Sequence, residues 1–303
     1  MDGVTALRSL RQLLSEASDS TFMDTKTSYE YLWQAAIEFT DRTSCLTNTQ
    51  SISTVANQAA YSLDADYMKI YLKNSDNNYF LKYNDGSANS FINFKEKDSL
   101  IYQNSTGSTT VPSWFYIEDE PTLNTQITGT ISAAGALSGG QVTLTDTSVA
   151  TKFSNASAGD AVHNTTDSSA GYVISKTSAT ALVTALFDGT DNDWDLADAY
   201  VLQPQGRMRL VLSPPPSTAS HTITFYYVQR PAPVFSNYGV YRFQPQHMRA
   251  IINYTAWLYK YRDREPNYGD KFYQIFELET RKSGANINKG LNRQGFKVNF
   301  LKR

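Results

Sequence analysis

The sequence predicts an α+β protein. Its body combines a helical bundle, two helices from the N-terminal end and two from the C-terminal end, with an antiparallel β-sheet region, and an inserted all-β sandwich or barrel domain interrupts it. Three observations predict this. Apolar residues recur at helical spacing near both ends. Between them the period drops to two, as strands require. Within that stretch, Thr125 to Pro204 differs in composition from what flanks it.

The first helix is predicted over residues 4 to 17, where Val4, Leu7, Leu10, Leu13 and Leu14 share a face. The second begins at Thr27, which stands three residues before Glu30 in the spacing of a capping box. Tyr29, Leu32, Trp33, Ala36, Ile37 and Thr40 continue one face, and Arg42 suits the negative end of the helix dipole.

Strands follow at Tyr61 to Leu63, Tyr67–Leu72, Tyr79–Tyr83, Ser90–Phe94 and Ser113–Ile117, with Asn, Asp and Gly in the joins. Residues 125–204 hold 7 of the 16 glycines, and eight Asp face only Lys152 and Lys176. Six short strand-like pieces lie here: Gln126–Ile131, Gln141–Leu144, Ala161–His163, Tyr172–Ser175, Ala181–Leu186 and Ala199–Leu202. With regular turn signals between them, they predict a small β domain. The body is then residues 1–124 and 205–284, with 125–204 inserted. Excising the insertion makes the strands Trp114–Ile117 and Arg207–Leu212 neighbours along the chain.

Arg207–Leu212 and Thr222–Gln229 flank Pro214, Pro215 and Pro216, which cannot donate to a ladder and mark a loop. Pro245 opens the third helix at a first-turn position, and Met248, Ile251, Ile252, Thr255, Leu258 and Tyr259 keep its face. The fourth runs from about Tyr268 to Lys282, with Gly284 as its stop. Residues 285–303 then form a basic tail. From Thr280 to Arg303 there are seven basic residues and no acidic one, on a chain whose total net charge is −2. In that tail Phe296, Val298 and Phe300 alternate with Lys297 and Asn299, a strand pattern without a local partner.

Composition excludes several classes. With 41% hydrophobic and 18% charged residues, the chain suits a globular protein, not a disordered one. Its net charge is not that of a protein that coats DNA. No apolar run reaches the roughly 18 residues of a membrane span. Cys45 stands alone, so neither an intrachain disulfide nor a cysteine metal cluster is available, and a reducing cytoplasm is the expected place of synthesis.

Chemistry-bearing motifs are few. His163, His221 and His247 have no metal-ligand spacing and are expected at surfaces or interfaces. No nucleophile elbow or phosphate-cradling loop occurs. Asp188, Asp191, Asp193, Asp195 and Asp198 cluster, and Asp191 to Asp195 begins like a calcium loop. Leu196 and Leu202 then occupy the positions where that loop needs Gly and Glu, so a solvated turn is expected. A glycosidase-type pair could be sought among Glu16, Glu30, Glu38, Glu118 and Glu120, but their spacing selects none. No cofactor, metal or catalytic residue is therefore assigned.

Four segments together resemble the head-to-tail connector, or adaptor, proteins of tailed double-stranded-DNA bacteriophages. They are the Tyr29–Arg42 helix, the Thr54–Ile70 stretch, Met208–Pro216 with Ile223–Tyr227 and Arg230-Pro231, and Pro245–Tyr259 with Arg262-Asp263 and the closing helix. The resemblance covers most of residues 25 to 124 and 205 to 283; the insertion departs from the shorter members. It implies a structural virion protein, assembled in the host cytoplasm. Its copies form a ring, commonly of twelve, beneath the portal, and the ring extends the DNA channel toward the tail nozzle or tail tube. Its partners are then the portal protein, tail proteins, other copies of itself and passing DNA bound without sequence specificity, with no membrane. On this reading Trp33, Tyr254, Trp257 and Tyr261 supply the ring interface. Arg293, Phe296, Lys297, Val298, Phe300, Lys302 and Arg303 dock on the portal. Two other readings stay open: a tail-associated peptidoglycan hydrolase, and a carbohydrate- or fibre-docking protein working through the inserted β domain.

Overall fold

Two aspartates start the N-terminal helices. In the computed structural model, which describes residues 1–16, 22–73, 78–98, 107–262 and 266–291, the Asp2 carboxylate accepts from the Thr5 N–H at 2.7 Å and the Asp24 carboxylate from the Thr27 N–H at 2.7 Å. Each satisfies an amide that the first helical turn leaves unpaired. Helix α1 is thus Gly3–Leu14 and α2 is Thr25–Thr43. The cap expected at Thr27 lies one turn earlier, and Glu30 instead meets the Tyr172 hydroxyl at 3.4 Å. At the C-terminal end, α3 is Pro245–Arg262 and α4 is Pro266–Leu291. Gly284 does not stop α4: a glycine inside a helix costs only about 1 kcal/mol, and the helix continues into the stretch expected to be tail.

The four helices bury one shared core, built from Leu7, Leu10, Leu32, Phe39, Met248, Ile251, Tyr259 and Phe276 among others. Helices α2 and α3 run antiparallel. The Ser28 hydroxyl meets the Tyr259 hydroxyl at 2.8 Å at one end, and the Phe39 and His247 rings lie 5.2 Å apart at the other. His247, expected at a surface or interface, is only 9% exposed and packs inside the chain on Phe39.

The first sheet contains eight strands: β1 Thr47–Ser53, β2 Ala60–Ser62, β3 Tyr67–Ile70, β4 Phe80–Asn84, β5 Asn89–Phe94, β6 Trp114–Asp119, β13 Met208–Ser213 and β14 Thr222–Gln229. Its order is β1-β14-β4-β5-β6-β13-β2, with β3 also on β14. One pair departs from the expected antiparallel region: β5 and β6 run parallel, through Asn93↔Trp114 and Phe94↔Phe115. Strand β1 has no counterpart in the sequence reading, because Thr-Asn-Thr-Gln-Ser-Ile-Ser carries no apolar alternation beyond Ile52. The sheet curls around an aromatic core that includes Tyr61, Phe115, Leu210, Phe225 and Tyr227.

The second sheet is wholly antiparallel. It is made of β7 Ile127–Thr130, β8 Val142–Thr145, β9 Ala161–Asn164, β10 Ser169–Ser178, β11 Ala181–Phe187 and β12 Ala199–Gln203, in the order β7-β12-β9-β10-β11-β8. Beyond β7, Ala133 forms a bridge to Thr145 of β8, so the two edges meet. Val142, Leu144, Phe153, Val173, Trp194 and Tyr200 fill the interior. The buried Trp194 ring donates its N–H to the Thr184 hydroxyl at 2.8 Å, which satisfies its one polar atom. Residues of β10 and β11 on the other face pack on the helices instead. Tyr172 stacks on Phe235 at 5.2 Å and meets Trp33 edge-on at 5.3 Å.

Candidate functional site

The two sheets and the helices converge where the chain enters and leaves residues 125–204. Strands β6 and β13, which flank that segment, are antiparallel neighbours with Ile117 opposite Leu210. The Asn124 side chain ties the two crossings: its Oδ1 accepts from the Arg207 N–H at 3.1 Å, and its Nδ2 donates to Asp119 at 2.8 Å. Behind it, Arg207 donates to Asp160 Oδ2 at 2.7 Å and to the Asn155 carbonyl at 2.8 Å. Asp160 also accepts from the Ser157 and Gln205 N–H groups, so a carboxylate 0% exposed keeps a full set of donors. Burial pushes the Asp160 carboxyl upward against the pull of Arg207.

Arg230, at the end of β14, lies beside this pair. Two glycines with positive φ, Gly159 and Gly206, leave room for its guanidinium; a Cβ on Gly206 would come within 3.2 Å of it. The same Gly159 faces the Trp33 ring, whose N–H donates to the Pro231 carbonyl at 2.9 Å. Arg230 in turn donates to the Ala65 carbonyl at 2.9 Å. Burial lowers its pKa.

A cleft of about 600 Å³ opens beside Arg230, walled by Asp64, Asp66, Lys176, Gln229 and the Pro231–Phe243 strap. Its two carboxylates are already engaged. The buried Tyr227 hydroxyl lies 2.7 Å from Asp66 and 3.0 Å from Asp64, and Gln229 donates to Asp66 at 2.6 Å. Burial, aided by the nearby Asp66 charge, raises the Asp64 carboxyl above its ordinary range.

Glu38, Glu118 and Glu120 are also engaged. Glu118 pairs with Lys97 at 2.5 Å and Arg209 at 2.6 Å. Lys97 first, and Arg209 with it, hold Glu118 below the usual carboxylate range, the reverse of what a general acid needs. Glu38 pairs with Arg42, and Glu120 accepts from the Thr122 hydroxyl. In the aspartate cluster, Asp198 accepts from the Asp195 N–H within the loop and from Asn164 at the end of β9, while Asp193 keeps one buried oxygen without a hydrogen-bond partner, so the turn is not simply solvated. Among the described residues, no three His, Cys, Asp or Glu side chains are placed to hold a metal ion. No helix among them is long and apolar enough to cross a membrane.

The expected interface aromatics separate into two groups. Trp33 and Tyr254 are spent inside the chain: Trp33 under Phe235 and Tyr172, Tyr254 against Phe276 at 4.6 Å and only 9% exposed. Trp257 is half-buried against Tyr273. Tyr261 is 66% exposed, and Tyr268, which the sequence reading did not single out, is 53% exposed. Arg293, Phe296, Lys297, Val298, Phe300, Lys302 and Arg303 lie outside the described residues.

Sequence reasoning missed the Asp160–Arg207–Arg230 group. Nothing in spacing links positions 160, 207 and 230; they meet only because the 125–204 segment returns to its starting point. Neither a comparison with protein-family models nor one with curated proteins finds a match for this chain.

Proposed function

We propose that this chain is the adaptor subunit that joins a phage capsid's portal to the tail, built as a ring that extends the DNA channel. The observation that supports it is the meeting of the four segments that resemble adaptors. Trp33 of the first bonds Pro231 of the third, Tyr227 and Arg230 of the third bond Asp66 and Ala65 of the second, and Phe39 of the first packs on His247 of the fourth. Segments far apart in sequence thus form one continuous unit, and residues 125–204, read as an inserted domain, pack on it through Tyr172, Ala185 and Phe187.

On this reading the four helices are the bundle that packs side by side around the ring. Copies meet through exposed aromatics at the α3–α4 turn, Tyr261 and Tyr268, and the basic tail grips the portal. A heterologous contact of this kind closes by rotation, and aromatic anchors suit it. The acidic body, net −9 over residues 1–279, lets DNA pass without gripping its phosphates. The pairing of Glu38, Glu118 and Glu120 speaks against a hydrolase centred on them, since Glu118 is held below the usual carboxylate range and not above it.

Electron microscopy of the purified chain mixed with its portal tests the proposal. A ring seated under the portal is the expected image. Absence of the subunit from purified virions would remove the proposal, as would clearing of a peptidoglycan zymogram that one Glu or Asp substitution abolishes.

A further inference from the structure

The first sheet almost closes on itself, and among the described residues no strand fills the place where it fails to close. Its end strands are β1 and β2. On β1, Leu46 accepts from the Gln229 N–H and Thr54 donates to His221. The antiparallel alternation therefore points the backbone groups of Thr47, Thr49, Ser51 and Ser53 away from β14. Among the described residues no strand pairs with that edge. On β2, Leu63 donates to Met208 and Leu212 donates to Ala59, so Ala60, Ser62 and Asp64 point away from β13.

Glutamine side chains occupy the β2 edge. Gln50, from β1, donates to the Ser62 carbonyl at 3.2 Å and accepts from the Asp64 N–H at 3.1 Å; Gln58 donates to the Ala60 carbonyl at 2.7 Å. A side-chain amide carries the same N–H and C=O as a peptide group. Gln50 thus reproduces one rung of a strand that is not there. Paired strands lie about 4.8 Å apart and bond directly; between β1 and β2 a side-chain amide stands in for the direct rung. Strand β1 also lacks the Lys, Pro or bulge that usually protects a free edge.

We infer that the seam between β1 and β2 is a strand-acceptor site, and that its occupant in the free protein is segment 296–300 of this chain. In that segment Phe296, Val298 and Phe300 alternate with Lys297 and Asn299. An added strand would turn the three apolar residues onto the core of Tyr61, Phe225 and Tyr227 and the polar ones outward. Charge agrees: Asp64 and Asp66 stand at the β2 end of the seam, while Lys297, Lys302 and Arg303 belong to the segment.

Helix α4 delivers the segment to that end of the molecule. It follows the antiparallel α2–α3 pair and so runs parallel to α2, and its Tyr273, Phe276 and Glu277 meet Arg42 in the last turn of α2. From Glu277 to Leu291 it continues about 21 Å further, at 1.5 Å per residue. Strand β1 begins just past the same end of α2. An extended chain from Leu291 to Phe296 adds about 17 Å of reach.

The inference rests on reading the segment as a docking strand; binding to the portal would then release it from the seam. The test uses the full chain with Cys45→Ala. Ser51→Cys, on the outer face of β1, is combined in turn with Lys297→Cys, Val298→Cys and Asn299→Cys under mild oxidation. Strand parity predicts disulfides to 297 and 299 forming at least tenfold faster than to 298. That pattern, within one chain or between two copies, supports the site and the segment; equal rates at all three positions, or no bond, overturn the inference. In the chain with its native cysteine, Val298→Pro removes a ladder donor and should speed amide exchange at Ser51 and Ser53 at least tenfold; unchanged exchange would overturn it equally. Neither measurement reads ring formation or portal binding, so failure here leaves the adaptor proposal standing.

Discussion

Arg207 and Asp160 form an ion pair at 2.7 Å with side chains 3% and 0% exposed, and they tie the exit of residues 125–204 to the start of β9. Such a pair owes its stability to its full set of hydrogen bonds, and losing one partner strands the other charge. Arg207→Met should cost about 3–5 kcal/mol, seen as a lower melting midpoint by calorimetry. Asp160→Leu added to Arg207→Met should recover part of that loss. A single variant as stable as the parent would contradict this account.

Gly171 sits where β10 crosses β11, and a Cβ there would lie 1.7 Å from the Ala185 carbonyl oxygen. Backbone cannot yield as a side-chain tip can. Gly171→Ala should therefore disrupt the second sheet, measured as loss of the buried Trp194 fluorescence signature. Gly284→Ala, with nothing within 4 Å, should instead leave stability unchanged or raise it by up to about 1 kcal/mol.

His247 titrates below its ordinary 6.5 because burial penalises its charged form. The unfolded chain then binds a proton more readily than the folded one. The sign follows: His247 takes stability away as pH falls through 6.5 toward its lower folded value, and has no such effect above. Urea melts at pH 7.5 and 5.5 should show a loss at the lower pH that His247→Gln reduces. An identical pH slope in the variant would refute the assignment.

Tyr261 and Trp33 should behave in opposite ways. Tyr261→Asp alters a side chain 66% exposed and should keep the melting midpoint while blocking the ring in a portal mixture viewed by electron microscopy. Trp33→Ala removes a ring that packs on Tyr172 and Phe235 and should destabilise the free subunit by about 3–5 kcal/mol. Rings that persist with Tyr261→Asp would move the interface elsewhere.

Removing residues 292–303 should leave the fold intact and abolish capture by portal in a pull-down. Undiminished capture would end the docking role proposed for Phe296, Val298, Phe300 and the surrounding basic residues.

Much of this architecture was legible because local rules act locally. Helix faces such as Leu7, Leu10 and Leu14, and the alternation in 80–84, 142–145 and 222–229, follow from periodicity that any core demands of the chain. Helix ends were less legible, since Asp24 and not Thr27 is the cap and Gly284 stops nothing. Strand β1 was not legible because its Asn48 and Gln50 hydrogen-bond to Tyr227 and to β2 where apolar side chains would give alternation.

What the sequence determined by itself is the four helices and the strands other than β1, the stretch whose composition differs from the body, and the scarcity of reactive motifs. Only the tertiary structure decided that β5 runs parallel to β6, that Asp160, Arg207 and Arg230 meet, and that Gln50 spans an unclosed seam. The reason is physical. Periodicity and capping depend on neighbours a few residues away, whereas these pairings join positions from 12 to 70 residues apart, where chain closure and not local preference chooses the partner.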